Sequence, residues 1–165
     1  MTQMAPAVTN AAGWGAIHRL STRVRICDIC DICGYTSGAA VSQPEISIVM
    51  PFRDAAATLP TALASIGRQR GAAFELLAVD DGSADGSAAI VAARARADGR
   101  VRLLSPGRVG LVGALNAGVA AARAPLIARM DADDLMHPDR LRLQRDALLA
   151  RPELALVASR VALFP

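Results

Sequence analysis

Three aspartates, Asp131, Asp133 and Asp134, stand within four positions of the stretch ARMDADDLMHPDRL, residues 128–141. Two carboxylates about 6 Å apart repel by about 3 kcal/mol at an effective dielectric near 20. A helix starting near Pro138 offsets little of this, because an anion at a helix N-terminus gains only about 0.3–1 kcal/mol. Such crowding calls for a cation, and a divalent ion with oxygen ligands is the usual solution. The D-x-D pattern is short, however, and in a chain with 15 acidic residues roughly one such pair arises by chance. A second acidic stretch, Asp80-Asp81-Gly82-Ser83, also follows an apolar run, and taken alone it reads equally well as a turn and helix cap. The third candidate is Cys27, Cys30 and Cys33 in RICDICDICG. Its C-x2-C-x2-C spacing resembles the start of a ferredoxin run, but Ser37 stands where the fourth cysteine is needed. No metal or cluster is expected there.

Composition narrows the functions these groups can serve. The 165 residues are 53% hydrophobic, enough for one core, with only 3% aromatic, so aliphatic packing dominates. All 18 basic residues are arginine. The absence of lysine excludes a Walker A loop. A net charge of +3, spread along the chain without aromatic-interleaved basic runs, argues against a nucleic-acid partner. No apolar run reaches the 18 or so residues of a membrane span, so no transmembrane helix is expected in this chain. The N-terminus lacks the pattern of a signal peptide. The expected location is cytoplasmic, including the inner face of the membrane.

The elements that must position the acids come after residue 44. Residues 1–44 show no sustained periodicity and are expected to be a poorly ordered extension, with one domain over residues 45–165. In that domain, strands are predicted over Ile46–Met50, Phe74–Val79, Val101–Ser105 and Pro125–Met130, and a fifth over Leu154–Ser159. Helices are predicted in TLPTALASIGRQ, in AAIVAARARA, around Ala114–Ala122 after a glycine-rich loop, and from Pro138. Strands alternating with helices imply an α/β fold, Rossmann-like, with a mostly parallel sheet flanked by helices. Such sheets bind ligands outside the carboxyl ends of their strands. Three predicted strand ends carry acids: Pro51-Phe52-Arg53-Asp54, Asp80-Asp81-Gly82-Ser83 and Asp131-Ala132-Asp133-Asp134.

In order and spacing, ISIVMPFRDAAATLPTALASI, ELLAVDDGSADGS, GLVGALNAG and ARMDADDLMHPDRL resemble the family 2 glycosyltransferases. The resemblance covers residues 45–165 and implies a GT-A fold acting on a nucleotide-activated sugar, with the chain as the donor-binding half. It implies that Pro51 and Phe52 lie beside the base and that Asp54 stands at the same rim. It further implies that Asp80 hydrogen-bonds the base, usually uracil, and that Asp131 lies near the ribose and diphosphate. Asp131 and Asp133 would then hold Mn²⁺ or Mg²⁺, with Asp134 an additional acid. The partners implied are a nucleotide-sugar donor and a carbohydrate or lipid-linked acceptor. Arg53 stands where the family often has asparagine, which removes any role for that side chain. The general base of inverting members lies well beyond the D-x-D, and it is expected beyond Pro165.

Rival readings fare worse. A dinucleotide-binding Rossmann domain needs G-x-G-x-x-G after the first strand, where this chain has PFRDAA. A nucleotidyltransferase wants a glycine-rich basic loop at the same place. An inactive nucleotide-binding module stays open as the non-enzymatic alternative.

Overall fold

A computed structural model describes residues 43–162. The three cysteines and residues 1–42 of the predicted extension lie outside the described residues. Four strands alternate with four helices: β1 (Ile46–Phe52), α1 (Leu59–Gly67), β2 (Phe74–Asp80), α2 (Ser87–Ala97), β3 (Val101–Leu104), α3 (Gly110–Ala121), β4 (Leu126–Arg129) and α4 (Arg140–Ala150). All strand pairs are parallel, in the order β3-β2-β1-β4.

The two central strands are buried along their whole length, as the near-continuous apolar runs require. Their side chains alternate between two cores. Ile46, Ile48, Met50 and Phe52 join Phe74, Leu76 and Ala78 on one face, where Leu59, Leu63 and Ile66 of α1, Val91 of α2 and Leu141 of α4 cover them. Val49, Leu77 and Val79 face the other way and meet Ala114 of α3. Here α3 lies close because its contact residues are small. A Cβ on Gly118 would run into Val49 Cγ1, so glycine is what lets the helix settle onto β1.

The chain therefore changes direction at β1. The path through α1 leads to β2 on one side, while α3, on the opposite face, delivers β4 to the other side. Such a reversal of strand order leaves a crevice at the carboxyl ends of the strands. Pro51 widens it. The Met130 amide donates to Val49 O at 3.1 Å. In a parallel ladder, the next β1 residue facing β4 is two positions on. That residue is Pro51, which has no N–H to give. Pairing with β4 accordingly stops at Val49, although β1 continues against β2 as far as Phe52.

Two expectations need correction. No fifth strand forms at Leu154–Ser159; the segment is irregular, with Leu156 79% exposed. A strand exists only where an edge pairs with it, and among the described residues this run pairs with none. The last helix begins at Arg140, two residues after Pro138, and Asp139 at its N-cap makes no side-chain capping bond. Neither Asp131 nor Asp134 caps it.

Candidate functional site

Three loops at the carboxyl ends of the strands build the site, and two of them are stapled together. The Asp54 amide donates to Ser83 Oγ at 3.1 Å, and Asp54 Oδ1 accepts from the Ala84 amide at 2.8 Å. Ala55 N–H reaches Ser87 Oγ at 2.8 Å, and Ala56 N–H reaches Asp85 Oδ2 at 3.0 Å. Thus the polar side chains of GSADGS are partners for the loop after β1. The Ser87 hydroxyl, with the Ala56 and Ser87 amides, holds the Asp85 carboxyl below its usual range. Asp54 is the one non-glycine residue with positive φ among those described, at 48°. Aspartate tolerates this conformation better than most residues, and its carboxylate secures the Ala84 amide from there.

The D-x-D loop is fastened from below by α1. Ser65 Oγ accepts the Met136 amide at 3.1 Å. Buried Gln69 donates to His137 O at 2.7 Å and accepts from the Leu141 amide at 3.2 Å. These bonds hold both ends of the descent from Asp133 into α4.

Between the loops lies a cleft of about 490 Å³, lined by Pro51, Phe52, Arg53, Asp54, Leu111, Arg129, Asp131 and Asp133 among others. Five of the six candidate binding residues, Pro51, Phe52, Asp54, Asp131 and Asp133, meet in its wall. Asp80 does not line it. This residue is buried at the end of β2, with Oδ1 accepting the Ser83 amide at 2.9 Å. Its neighbour Asp81 is spent on α3, whose Val109 and Gly110 amides both donate to Asp81 Oδ1 at 2.7 Å. That contact satisfies amides a helix start would otherwise leave open. Phe52 is 4% exposed and belongs to the core as well as to the cleft wall. Asp134 is exposed, and its amide closes a turn onto Asp131 O at 3.3 Å.

One cleft residue escaped the sequence reading. Arg129, the last residue of β4, donates to Asp131 Oδ1 from Nε at 3.2 Å and from Nη2 at 3.0 Å. Its position two residues before the first D-x-D acid was the available signal. Among the described residues no cluster of three or more His, Cys, Asp or Glu side chains is arranged to enclose a metal ion. Two carboxylates opening onto one cleft suit a different case, a cation that takes its remaining oxygens from a phosphorylated ligand, as Mg²⁺ does. The residues fit such an ion.

A parallel α/β sheet flanked by helices is the fold of the GT-A glycosyltransferases, and solved structures of that fold superpose on this chain. S. aureus TarS 1–349 does so with a TM-score of 0.59 at 18% identity, over 66% of this chain and 33% of that one. Other TarS 1–349 structures are complexes with UDP and with UDP-GlcNAc. The mannosyltransferase PcManGT from Pyrobaculum calidifontis, in complex with GDP-Man and Mn²⁺, matches with a TM-score of 0.57 at 27% identity, over 67% of this chain and 33% of that one.

The family model for glycosyl transferase family 2 matches residues 47–164, and the chain belongs to that family of transferases. The succinoglycan biosynthesis protein ExoO of Rhizobium meliloti is 44% identical over 100 residues, 60% of this chain and 28% of ExoO. The putative glycosyltransferase EpsH of Bacillus subtilis is 33% identical over 96 residues, 58% of this chain and 28% of EpsH. The chain thus spans little more than a quarter of the length of these two relatives. Among the described residues no helix is long and apolar enough to cross a membrane.

Proposed function

We propose that the domain over residues 45–165 binds the donor of a sugar transfer: a nucleotide-sugar, UDP-linked, held with Mn²⁺ or Mg²⁺ through Asp131 and Asp133. The observation that carries this reading is the meeting of both D-x-D carboxylates with Pro51, Phe52 and Asp54 in one cleft where the strand order reverses. Membership in the family and the nucleotide-sugar complexes of its structural neighbours support it.

A sugar leaves its donor as the bond to the diphosphate breaks, and the growing negative charge must be met. A divalent cation supplies that neutralisation when bound. The chain's own part is to orient. Pro51 and Phe52 form an apolar wall, and the staples to Ser83, Asp85 and Ser87 keep the loop after β1 from collapsing into the cleft. In this reading the base extends towards the end of β2, where the Asp80 carboxylate has one oxygen engaged by Ser83 and the other for an imide N–H.

No carboxylate of the cleft wall is left to act as general base. Asp54 holds the Ala84 amide, and Asp131 and Asp133 would be taken up by the cation. The proton of an acceptor hydroxyl must go to a group within about 3 Å, and that group comes from outside this set.

The test is calorimetric titration of the chain with UDP in Mn²⁺ and again in chelator. Binding only in Mn²⁺, weakened most by Asp133→Asn, is the expected result. Equal affinity in both conditions would refute the metal bridge. Asp80→Asn should narrow the preference for UDP over GDP while leaving the metal requirement intact.

A further inference from the structure

Arg129 points to how metal and nucleotide binding are linked. Its guanidinium and the Asp131 carboxylate both line the cleft. Two of its donors grip Asp131 Oδ1, and Nη2 also approaches Oδ2 at 3.4 Å. The pair is half exposed, 56% for Arg129 and 46% for Asp131, so water screens it and it is easily exchanged. Nη1 of Arg129 makes no hydrogen bond among the described residues. Two other arginines lie nearby, and neither contacts Asp131. Arg140 is tied to Arg129 O and to Gln144, and Arg53 sits 3.6 Å from Asp54. Arg129 is therefore the cleft cation held by the very carboxylate that a divalent ion would take.

We propose that Arg129 is a resident counter-ion: it neutralises Asp131 until donor and metal arrive, then passes Asp131 to the metal and turns its fork onto the diphosphate. The inference rests on the nucleotide–metal reading above. Its physical basis is competition. A guanidinium and a divalent ion repel one another when both crowd one carboxylate, whereas a diphosphate offers the guanidinium a bidentate partner of higher charge. The cleft wall carries three carboxylates against two guanidiniums, so without added positive charge it disfavours a nucleoside diphosphate. The consequence is reciprocal coupling. Nucleotide draws Arg129 away and raises metal affinity, and metal frees Arg129 and raises nucleotide affinity by the same factor. Metal alone binds weakly, because it must displace Arg129.

The experiment measures Mn²⁺ binding to the full chain by electron paramagnetic resonance, with and without UDP, for the wild type, Arg129→Gln, Arg129→Lys and Asp133→Asn. Circular dichroism confirms folding of each. Arg129→Gln is expected to bind Mn²⁺ alone several-fold more tightly than wild type. UDP should then bind to the Mn²⁺-loaded variant about tenfold more weakly, and the enhancement of Mn²⁺ affinity by UDP should shrink towards unity. Lysine keeps the charge without the fork and should fall between. If wild type binds Mn²⁺ and UDP together, Asp133→Asn abolishes this, and Arg129→Gln leaves Mn²⁺ affinity and the enhancement unchanged, the counter-ion inference fails while the site reading stands. If wild type binds neither, or Asp133→Asn has no effect, the site reading fails and the inference with it.

Discussion

Glu75 offers a test of the scaffold that leaves the cleft untouched. It is the second residue of β2, buried, and five residues before the strand's carboxyl end at Asp80, so about 17 Å of strand separates it from the cleft side. Its Oδ-equivalent pair, Oε1 and Oε2, is fully used. Oε1 accepts from Ser47 Oγ and from the Arg123 amide, both at 2.8 Å, and Oε2 accepts from Arg102 Nη1 at 3.2 Å. Arg102 also donates to Ala121 O, and Ser47 Oγ accepts the Ala124 amide. One carboxylate thus ties the end of α3 and the entry to β4 onto β1 and β2. Removing one partner of a buried ion pair costs about 3–5 kcal/mol. Arg102 is partly exposed here, which lowers the expectation for Glu75→Gln to about 2–3 kcal/mol. With an unfolding entropy near 2.1 cal/mol/K per residue over roughly 120 residues, that is a fall in Tm of about 10 °C. Burial favours the neutral form of Glu75, but the Arg123 amide, Ser47 and Arg102 outweigh it and the pKa is lowered. The stabilisation is therefore full above the unfolded-state pKa near 4.5 and is lost as pH falls through the folded value. Differential scanning calorimetry at pH 7 and in the acid range reads both effects. A change in Tm below 2 °C at pH 7, or one that does not diminish in acid, would refute the reasoning. Calorimetric UDP affinity of the folded variant should match wild type.

Other predictions concern separate parts of the molecule. Arg100 and Arg94 hold Asp98 at a pKa of about 2 against an ordinary 3.8, despite its partial burial; Asp98→Asn should cost about 1 kcal/mol at pH 7, given the exposed arginines, and progressively less as pH falls below about 4 and through 2, as read in urea melts across that range. Gly118→Ala should destabilise by about 1–2 kcal/mol in denaturant unfolding, because overpacking against Val49 and Val79 exceeds alanine's better helix propensity. Deleting residues 1–42 should leave the thermal transition within about 2 °C; a larger loss, or stoichiometric zinc or iron that vanishes with the deletion, would make the cysteine stretch structural. Incubated with UDP-GlcNAc, UDP-glucose or UDP-galactose and Mn²⁺, the chain should release UDP slowly or not at all; release stimulated by sugar acceptors and abolished by Asp133→Asn would mean the general base lies within these residues.

Much of this architecture was legible before any coordinates. β1 opens on a β-branched run, β2 is a short, mostly apolar one, both are followed by turn formers, and Asp131 and Asp133 follow an apolar run, so strand order along the chain put both acids at one rim. What the sequence hid depends on partners distant in the chain. Ser83, Asp85 and Ser87 read as turn formers, and only the fold brings Asp54, Ala55 and Ala56 to them. Asp80 and Asp81 are adjacent and chemically identical, yet one closes its own turn and the other caps a helix almost thirty residues on. Leu154–Ser159 has a strand's composition, but composition cannot supply an edge to pair with. Pro51 follows the predicted strand Ile46–Met50. It terminates one of two ladders, a distinction that requires knowing β1 is central.

That half-termination has an evolutionary consequence. At position 51 the substitutions most favourable to the sheet are those with an amide hydrogen and a β-branched side chain, such as valine. Each would let β1 and β4 zip one step further, gain a ladder bond, and draw shut the mouth between Phe52 and Asp131. Selection for thermostability alone would take that step, and selection for binding would reverse it. Proline holds the position as a zipper stop, so a stabilised library of this domain should be screened for ligand binding wherever residue 51 has changed.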